Sequence, residues 1–457
     1  MPSTAPRDRA GRHGLTTHEK TDPIGYAVAF LNKLAQTKSL DSFGPLRWNL
    51  RKPTERVVFE TTKTGYRTLG AVNRQFTRSG KRGGTPARVP SAAAKGVFDL
   101  TPTEDEQMLV DVVSEFAAEV VRPAAADANE ATQPPEDVLK ASLEIGLPIL
   151  GVPEDLGGIS TERSAMAGTL VAEALAKGDM GLAVACLAPG AVSTALSLWG
   201  NDQQQSTYLP AFTGDDVPAA ALALTEARPL FDPLAPETSA VKDGDGYVLN
   251  GVKSMVPRGA DAELFVVGAM LDGRPRLFLV ESDTEGLEIE AEPSMGLRAA
   301  ALSRVILKDV KVSDLAPLGT ADDYVECVRL SRLAWCALSL GTAQAVLDYV
   351  IPYVNERTAF GEPVSHRQSV AFMVANIGIE LQGMRLVTYK AASRAAQGRS
   401  FDREVALARR LCAERGMQIG NDGVQLLGGH GFVKEHPVER WYRDLRAIGL
   451  MEGGVLV

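Results

Sequence analysis

Apolar side chains recur every three or four residues in the stretch that follows Leu100, as expected for a helix with one buried face. The positions in this stripe are Met108, Leu109, Val112, Val113, Phe116, Val120 and Val121. Comparable spacing predicts further helices over Pro135–Glu144, Ser164–Ala176 and Gly181–Trp199. The segment 98–216 is therefore predicted to form an all-helical N-terminal domain.

Between Ala219 and Val312 the pattern changes to short runs that are typical of β-strands, separated by turns such as residues 243–246. The predicted strands are Gly246–Val256, Glu263–Met270, Arg276–Glu281, Leu287–Ala291 and Ser303–Val312. No helical stretch lies between them. The segment 217–314 is therefore predicted to be an antiparallel sheet or a small barrel.

Long helical stretches return after Asp314. They cover Tyr324–Ala359, Ser369–Gln397 and Arg403–Leu427. The predicted fold class is α+β, with an N-terminal all-α domain, a middle antiparallel β domain and a C-terminal domain (315–457) like a four-helix bundle. A chain of 457 residues exceeds the size at which one hydrophobic core stops growing, which agrees with several domains.

Residues 1–97 differ from the rest of the chain in charge. The first 100 residues carry 18 Lys and Arg against 7 Asp and Glu, whereas the whole chain carries 48 against 57. We interpret 1–97 as a basic extension on an acidic body, joined to it by a linker rich in Gly, Pro and Arg at Ser79–Pro90, with a domain boundary near 79–97. A short apolar helix predicted at Ile24–Ala35 suits contact with an anionic membrane surface. Nucleic-acid binding is disfavoured, because no recognition motif accompanies the basic residues.

Composition excludes several other classes of protein. The four cysteines form no Cys-x-x-Cys pair and the five histidines do not cluster with them, so neither a disulfide framework nor a metal site is expected. No uninterrupted apolar run reaches roughly 18 residues, so no transmembrane helix is predicted. The N-terminus lacks the apolar centre of a secretory signal. We expect a cytoplasmic bacterial protein, with membrane association and a mitochondrial presequence left open as alternatives.

Four short motifs follow one another in the C-terminal part of the chain. They are Arg357-Thr-Ala-Phe-Gly361 with Gln368 downstream, Gln425-Leu-Leu-Gly-Gly-His-Gly-Phe432, Pro437-Val-Glu-Arg-Trp-Tyr-Arg-Asp444 and Met451-Glu-Gly453. In this order and spacing they resemble the acyl-CoA dehydrogenase family, flavoenzymes that desaturate acyl-CoA thioesters between Cα and Cβ. The resemblance extends from about residue 100 to the C-terminus. It implies the family's three-domain fold, FAD as cofactor, and a place in fatty acid β-oxidation. It also implies an electron-transfer flavoprotein as partner, and assembly into a homodimer or homotetramer.

Glu452 is the residue to which the resemblance assigns the role of catalytic base. Removal of a proton alpha to a thioester requires a carboxylate, while a flavin accepts hydride from the beta carbon. The backbone N–H of Glu452 is then expected to bind the thioester oxygen, and Gly453 and Arg332 to contact the substrate. From spacing alone, a surface glutamate in a Gly-rich segment is the competing interpretation. Some relatives carry the base at the position of Ser331, which cannot replace a carboxylate.

The same resemblance assigns a cofactor role to residues of the first two motifs. Arg357 is expected to bind the FAD pyrophosphate of a neighbouring subunit, for which a planar guanidinium is suited. Gln368, Gln425, Gly428 and Gly429 are expected to contact FAD across the same interface. Without the resemblance, the competing interpretation is that Arg357 forms a solvated ion pair with Glu356 and that the glycines only end a helix.

Two stretches of the middle domain depart from the family pattern. Thr225-Glu-Ala-Arg-Pro-Leu-Phe-Asp232 stands where the family has Thr-Glu-Pro-x-x-Gly-Ser-Asp, and Lys253-Ser-Met-Val-Pro257 replaces Lys-x-Trp-Ile-Thr. By resemblance the flavin contacts here are Thr225, Met255, Val256, Pro257 and Gly454. Met255 can still cover a flavin ring through its thioether, but Pro257 lacks a backbone donor. Weakened FAD binding is therefore expected.

Four functions remain open from the sequence, one of them an oxidase on the same scaffold that passes electrons directly to oxygen. The leading one is an FAD-dependent acyl-CoA dehydrogenase. The first alternative is a flavin-poor, non-catalytic subunit of a mixed oligomer, in which this chain completes the FAD site of its partner. The second is a nucleic-acid-binding or membrane-binding relative. Arg443 and Asp444 are predicted to form a structural ion pair.

Overall fold

The computed structural model describes residues 102–457, apart from 159–162 and residue 215. The predictions made for 1–97, including the helix at Ile24–Ala35, the linker and the membrane contact, lie outside the described residues.

The N-terminal part of the described chain is helical, as predicted. Its helices are α1 (Glu104–Phe116), α2 (Arg122–Ala131), α3 (Glu136–Glu144), α4 (Ala165–Gly178), α5 (Met180–Trp199) and α6 (Asp202–Phe212), with a π-helical turn at Ala117–Val121 between α1 and α2. Thr103 begins α1 through a capping box, because its hydroxyl accepts from the Glu106 N–H while Glu106 accepts from the Thr103 N–H. Almost every side chain of α5 is buried, so this helix forms the centre of the domain.

The middle part is a sheet of eight described strands. They are β1 (Ala220–Ala223), β2 (Ser239–Asp243), β3 (Gly246–Val256), β4 (Leu264–Leu271), β5 (Arg274–Glu281), β6 (Leu287–Ala291), β7 (Ser303–Ser313) and β8 (Pro317–Leu318). Seven of them lie in the order β6-β7-β3-β2-β4-β5-β8, and β1 pairs with β4. The five predicted strands are present.

The expectation of a purely antiparallel sheet is wrong, because β1 and β2 both pair with β4 in parallel. Neither β1 nor β2 was predicted from the sequence pattern. The four residues of β1 are all buried and do not alternate, and β2 is mostly exposed and polar. Alternation of apolar and polar residues marks only strands with one buried face, so the sequence of neither strand carried this pattern.

The C-terminal part returns to helices. They are α7 (Ala321–Glu356), α8 (Gln368–Ala396), α9 (Asp402–Leu427) and α10 (Val438–Asp444), with 3₁₀ turns at Gly428–Phe432 and Leu445–Gly449. The long helix α7 packs against α8 and α9 of its own domain and against α4 of the N-terminal domain. A helical, a β and a second helical domain therefore follow one another, which confirms the predicted fold class.

Three of the described helices, α5, α7 and α8, are long and apolar enough to cross a membrane by length and composition alone. In α5 and α7 most of the apolar stretch is buried inside the fold, whereas only 17% of it is buried in α8. The exposed side of α8 carries Phe372, Ile379 and Leu386, which lie seven residues apart and share one face. This face is an apolar surface on the outside of the C-terminal domain.

The last residues of the chain return to the centre of the molecule. Gly453 forms an isolated antiparallel bridge with Ala223 of β1, and the Gly454 N–H donates to the Leu222 carbonyl at 3.2 Å. The segment 451–457 is almost entirely buried. The fold therefore places Glu452 where β1 meets the helices α7 and α9.

Candidate active site

Glu452 lies inside the protein, with only 5% of its surface exposed. The segment reaches this position because Gly453 and Gly454 follow it with φ of 75° and 84°, a conformation that favours glycine. A Cβ on Gly454 would lie 3.1 Å from the Pro257 ring, so the chain also requires a small residue there. The alternative of a surface glutamate in a flexible segment is wrong.

The backbone around Glu452 is held by side chains from two domains. The Glu452 N–H donates to Thr225 Oγ1 at 3.1 Å, and the Thr225 hydroxyl donates to the Glu452 carbonyl at 2.7 Å. The Gly453 N–H donates to Ser331 Oγ at 2.7 Å, and its carbonyl accepts from Trp335 Nε1 at 2.8 Å. Buried backbone groups need such partners. These contacts fix the residue that carries the carboxylate.

The expected use of the Glu452 N–H differs from what the structure shows. This donor was expected to bind a thioester oxygen, but it is bonded to Thr225, whose hydroxyl was in turn expected at the flavin. The Thr225 hydroxyl thus accepts from the N–H of Glu452 and donates to its carbonyl. Binding of a thioester oxygen to this N–H requires that the contact with Thr225 be exchanged.

Two arginines surround the Glu452 carboxylate. Arg332 Nε lies 3.1 Å from both carboxylate oxygens and its Nη2 lies 2.9 Å from Oε1. Arg409 Nη2 lies 2.8 Å from the same Oε1 and its Nη1 donates to the Met451 carbonyl at 3.0 Å. Burial lowers the pKa of Arg409, and the negative charge of Glu452 opposes that shift. The buried carboxylate is therefore held by charge-assisted hydrogen bonds from Arg332 on α7 and by an ion pair with Arg409 on α9.

Arg409 was not predicted from the sequence. Its helix α9 carries several arginines, and nothing in the local pattern distinguishes one that points inward. Arg332 was expected to contact substrate near the CoA entrance. The structure places it on the Glu452 carboxylate, and a contact with CoA stays a prediction.

The middle-domain residues assigned to the flavin gather next to Glu452. Met255 is half-buried, with φ of 54°, and its N–H donates to Glu292 Oε2 at 2.7 Å. Val256 is buried and pairs with Ser303 in the β3–β7 ladder. The Pro257 ring faces Gly454. Thr225 and Pro257 thus lie against the segment of Glu452, and the donors of Thr225 and Met255 are engaged within the chain. Contact of these residues with the flavin stays a prediction.

A buried ion pair joins Glu226, the neighbour of Thr225 in the sequence, to Lys253, two residues before Met255. Lys253 Nζ lies 2.8 Å from Glu226 Oε1, and the Lys253 side chain is fully buried. Burial lowers the pKa of Lys253 to about 8, although Glu226 opposes the shift. Burial acts to raise the pKa of Glu226, but Lys253 and Thr238 bring it below its ordinary value. The opposing effects of burial and of the partner's charge on each pKa fit a charged pair, in which the buried lysine is bonded to an ionised carboxylate.

The second group of predicted cofactor residues lines a separate cleft of about 500 Å³ on the C-terminal domain. Its walls include Arg357, Gln425, Gly428 and Gly429, and none of the residues around Glu452 belongs to them. Gln368, at the start of α8, is next to the lining residue Ser369 but does not line the cleft itself. The predicted cofactor residues therefore form two groups on one chain.

The chemistry of this cleft fits a nucleotide diphosphate. Arg357 and Arg367 supply two permanent positive charges, and a Cβ on Gly428 or Gly429 would meet no atom within 4 Å, so both backbones are open to a ligand. His430 also lines the cleft and is bonded through Nδ1 to the Tyr353 hydroxyl at 2.8 Å. FAD contains the pyrophosphate and adenine that such a cleft can hold.

The predicted ion pair between Arg443 and Asp444 is wrong. Arg443 pairs with Glu439, at 2.8 Å and one helical turn away, because adjacent residues of a helix do not face each other. Asp444 instead accepts from the Leu297 N–H at 2.7 Å. The fully buried pair nearby is Arg440 with Asp179, at 2.9 Å.

Three family models match the described chain in sequence. Acyl-CoA dehydrogenase N-terminal, middle and C-terminal domains match residues 103–215, 221–310 and 324–454, respectively. The chain belongs to the acyl-CoA dehydrogenase family. It is thus an FAD-dependent oxidoreductase that acts on acyl-CoA, which confirms the cofactor and the enzyme class expected from the sequence.

Individual relatives agree with this assignment. The short/branched chain specific acyl-CoA dehydrogenase of Rattus norvegicus is 32% identical over 364 residues, covering 77% of this chain and 83% of the relative. Butyryl-CoA dehydrogenase from Megasphaera elsdenii is similar in structure, with a TM-score of 0.71 at 26% identity, covering 77% of this chain and 95% of that one. A chain from the structure of the electron transferring flavoprotein of Acidaminococcus fermentans has a TM-score of 0.71 at 28% identity, covering 77% and 94%.

Proposed function

We propose that this acyl-CoA dehydrogenase desaturates a short or branched acyl-CoA, with Glu452 as the base. The observation that carries the proposal is a buried, charge-compensated carboxylate in a segment whose backbone is fixed by Thr225 and Ser331. Glu452 removes a proton from Cα. FAD, when bound, accepts the hydride from Cβ.

The chain's own residues supply orientation and exclusion of water in this proposal. Ser331 and Trp335 hold the residue that follows the base, and the burial of 451–457 keeps bulk solvent away from the carboxylate. Such preorganised groups cost no rearrangement at the moment of reaction. Trp335 is fully buried beside Gly453, and we infer from this large side chain so close to the base that a short acyl group is favoured.

We further propose that FAD binds between two copies of the chain. The isoalloxazine ring belongs beside Thr225, Met255 and Pro257, and the nucleotide half belongs in the cleft of Arg357 and Gly428 on a second copy. Phe372 of the exposed apolar face of α8 is next in sequence to Met373, which lines this cleft, and an apolar face so close to the cleft supports such an oligomer. Electrons would then leave through an electron-transfer flavoprotein, as the relatives suggest.

An anaerobic titration tests the function. The purified protein is titrated with butyryl-CoA, 2-methylbutyryl-CoA and octanoyl-CoA while the flavin absorbance is recorded. Bleaching is expected with the first two and less with octanoyl-CoA. A yellow protein that none of the three bleaches would contradict the proposal.

One observation favours the alternative of a non-catalytic partner subunit. The donors at Thr225 and Met255 are bonded to Glu452 and Glu292, and Pro257 has no N–H to offer. A colourless protein that restores bleaching only when a second family member is added would support this alternative over the first.

A further inference from the structure

Arg409 is a largely buried cation that contacts both the side chain and the backbone next to the proposed base. Its side chain is 16% exposed, its Nη2 lies 2.8 Å from Glu452 Oε1, and its Nη1 donates to the Met451 carbonyl at 3.0 Å. One planar guanidinium therefore spans the carboxylate and the peptide that precedes it. This geometry restricts both the side-chain torsions of Glu452 and the path of its backbone.

Arg332 approaches the same carboxylate in a different way. It is more exposed, at 26%, and its contacts with this segment go to the two carboxylate oxygens. An arginine that holds only the carboxylate can exchange its partner without moving the chain. Arg409 cannot leave as easily, because it would release the Met451 carbonyl and remain as an uncompensated buried charge.

We propose that Arg409 is a positioning residue for the proton transfer, holding the Glu452 carboxylate aimed at the substrate from the side of α9. The inference rests on the proposed role of Glu452 as base. In the step, the Cα–H bond breaks and its proton forms a bond to a Glu452 oxygen. The electron pair left on Cα becomes the new Cα=Cβ bond, and the hydride that leaves Cβ would be taken up by FAD when it is bound. Arg409 stays protonated throughout, as guanidinium groups in proteins do.

Charge compensation explains why a second arginine is useful at this site. A single buried carboxylate is expensive unless it is paired and hydrogen-bonded. With Arg409 fixed, Arg332 is free to turn toward an incoming ligand while Glu452 keeps one cationic partner. The arrangement separates the permanent support of the base from a contact that can change when acyl-CoA binds.

The test compares Arg409→Met and Arg409→Lys with Arg415→Met. Arg415 is on the same helix and pairs with Glu380 at 3.2 Å, so it is a matched control. Stopped-flow bleaching by butyryl-CoA gives the rate of flavin reduction and the apparent Kd, and butyryl-CoA deuterated at Cα gives the isotope effect. We expect Arg409→Met to slow bleaching about 100-fold. The Kd should stay within about twofold, the isotope effect should increase, and lysine should restore part of the rate.

Two results would overturn the inference. Either Arg409→Met bleaches at the wild-type rate, or its slower bleaching comes with weaker binding and an unchanged isotope effect, which is the signature of a structural role. If Arg409→Met does not fold, Arg409→Lys decides, because an unchanged rate and isotope effect there would also reject positioning. Glu452→Gln separates the two proposals. If Glu452→Gln bleaches at the wild-type rate, Glu452 is not the base. If Glu452→Gln no longer bleaches while Arg409→Met bleaches at the wild-type rate, only the role of Arg409 is rejected.

Discussion

At the scale of single residues, the site depends on how completely the groups around Glu452 are paired. Thr225 illustrates this, because its one hydroxyl bonds both the N–H and the carbonyl of Glu452. The sequence identified Thr225 and Glu452 as members of one site by resemblance. It could not predict that they bond each other, since they are more than 200 residues apart and the contact depends on where the last segment folds.

Thr225→Val tests this pairing. Valine has nearly the same shape but leaves two buried backbone groups unsatisfied, so we expect a loss of about 1–3 kcal/mol in the free energy of unfolding. Flavin reduction by acyl-CoA should also slow, because the base is less firmly held. Thermal or denaturant unfolding measures the first effect, with the partly exposed Thr213→Val as the control. Equal stability of the two variants would show that the hydroxyl does not fix Glu452.

At the scale of elements, the sequence predicted the long helices and five of the eight described strands of the main sheet. The apolar spacing of α7, α8 and α9 gave their positions within a few residues, because each buries a face along most of its length. The strands β1 and β2 were missed, since neither alternates. The predicted ion pair between Arg443 and Asp444 is wrong because adjacent residues of a helix do not face each other, which their sequence spacing alone could have shown.

A pH-dependent link between α10 and the middle domain follows from Asp444. Burial, together with the neighbouring Asp179 carboxylate, raises the pKa of Asp444 to about 7, above the value of about 3.9 for an unfolded chain. The folded state therefore keeps this proton longer. The stability that the proton provides is complete below pH 4 and is lost as the pH rises through 7.

Asp444→Asn should remove this part of the pH dependence. Asparagine can still accept from the Leu297 N–H, so we expect the wild type to lose roughly 2–4 kcal/mol relative to the variant between pH 4 and pH 8. Unfolding curves at several pH values measure the difference, with Asp245→Asn in an exposed turn as the control. Parallel pH profiles for Asp444→Asn and the wild type would contradict the assignment.

At the scale of the whole molecule, the predicted cofactor residues divide into two groups on one chain. The group around Glu452 belongs to the junction of β1 with α7, and the group around Arg357 lines the cleft at the ends of α7 and α9. The motifs named nearly all of these residues. Their division between two places could not be deduced from the motifs alone, because motif order along a chain does not give distances in the fold.

Mixed assemblies test whether one FAD site uses both groups from different copies. Chains with Glu452→Gln and chains with Arg357→Ala are each expected to be inactive, one lacking the base and the other the pyrophosphate contact. Co-expressed, they should recover roughly a quarter of wild-type activity, because half of random twofold pairs are hybrids with one intact site of two. Activity is measured as acyl-CoA-dependent reduction of an artificial electron acceptor. Absence of recovery, with hybrids demonstrated by differently tagged chains, would place both groups in one subunit's site.

The central claim is that Glu452 takes the proton from Cα, and the Glu452→Gln variant tests it most directly. Glutamine keeps the size of the side chain but cannot act as a base. The control is Glu414→Gln on the exposed side of α9. We predict that Glu452→Gln retains the flavin spectrum while anaerobic bleaching by butyryl-CoA falls by about 10³-fold or more, and that the control bleaches normally. Bleaching of Glu452→Gln at the wild-type rate would contradict the account.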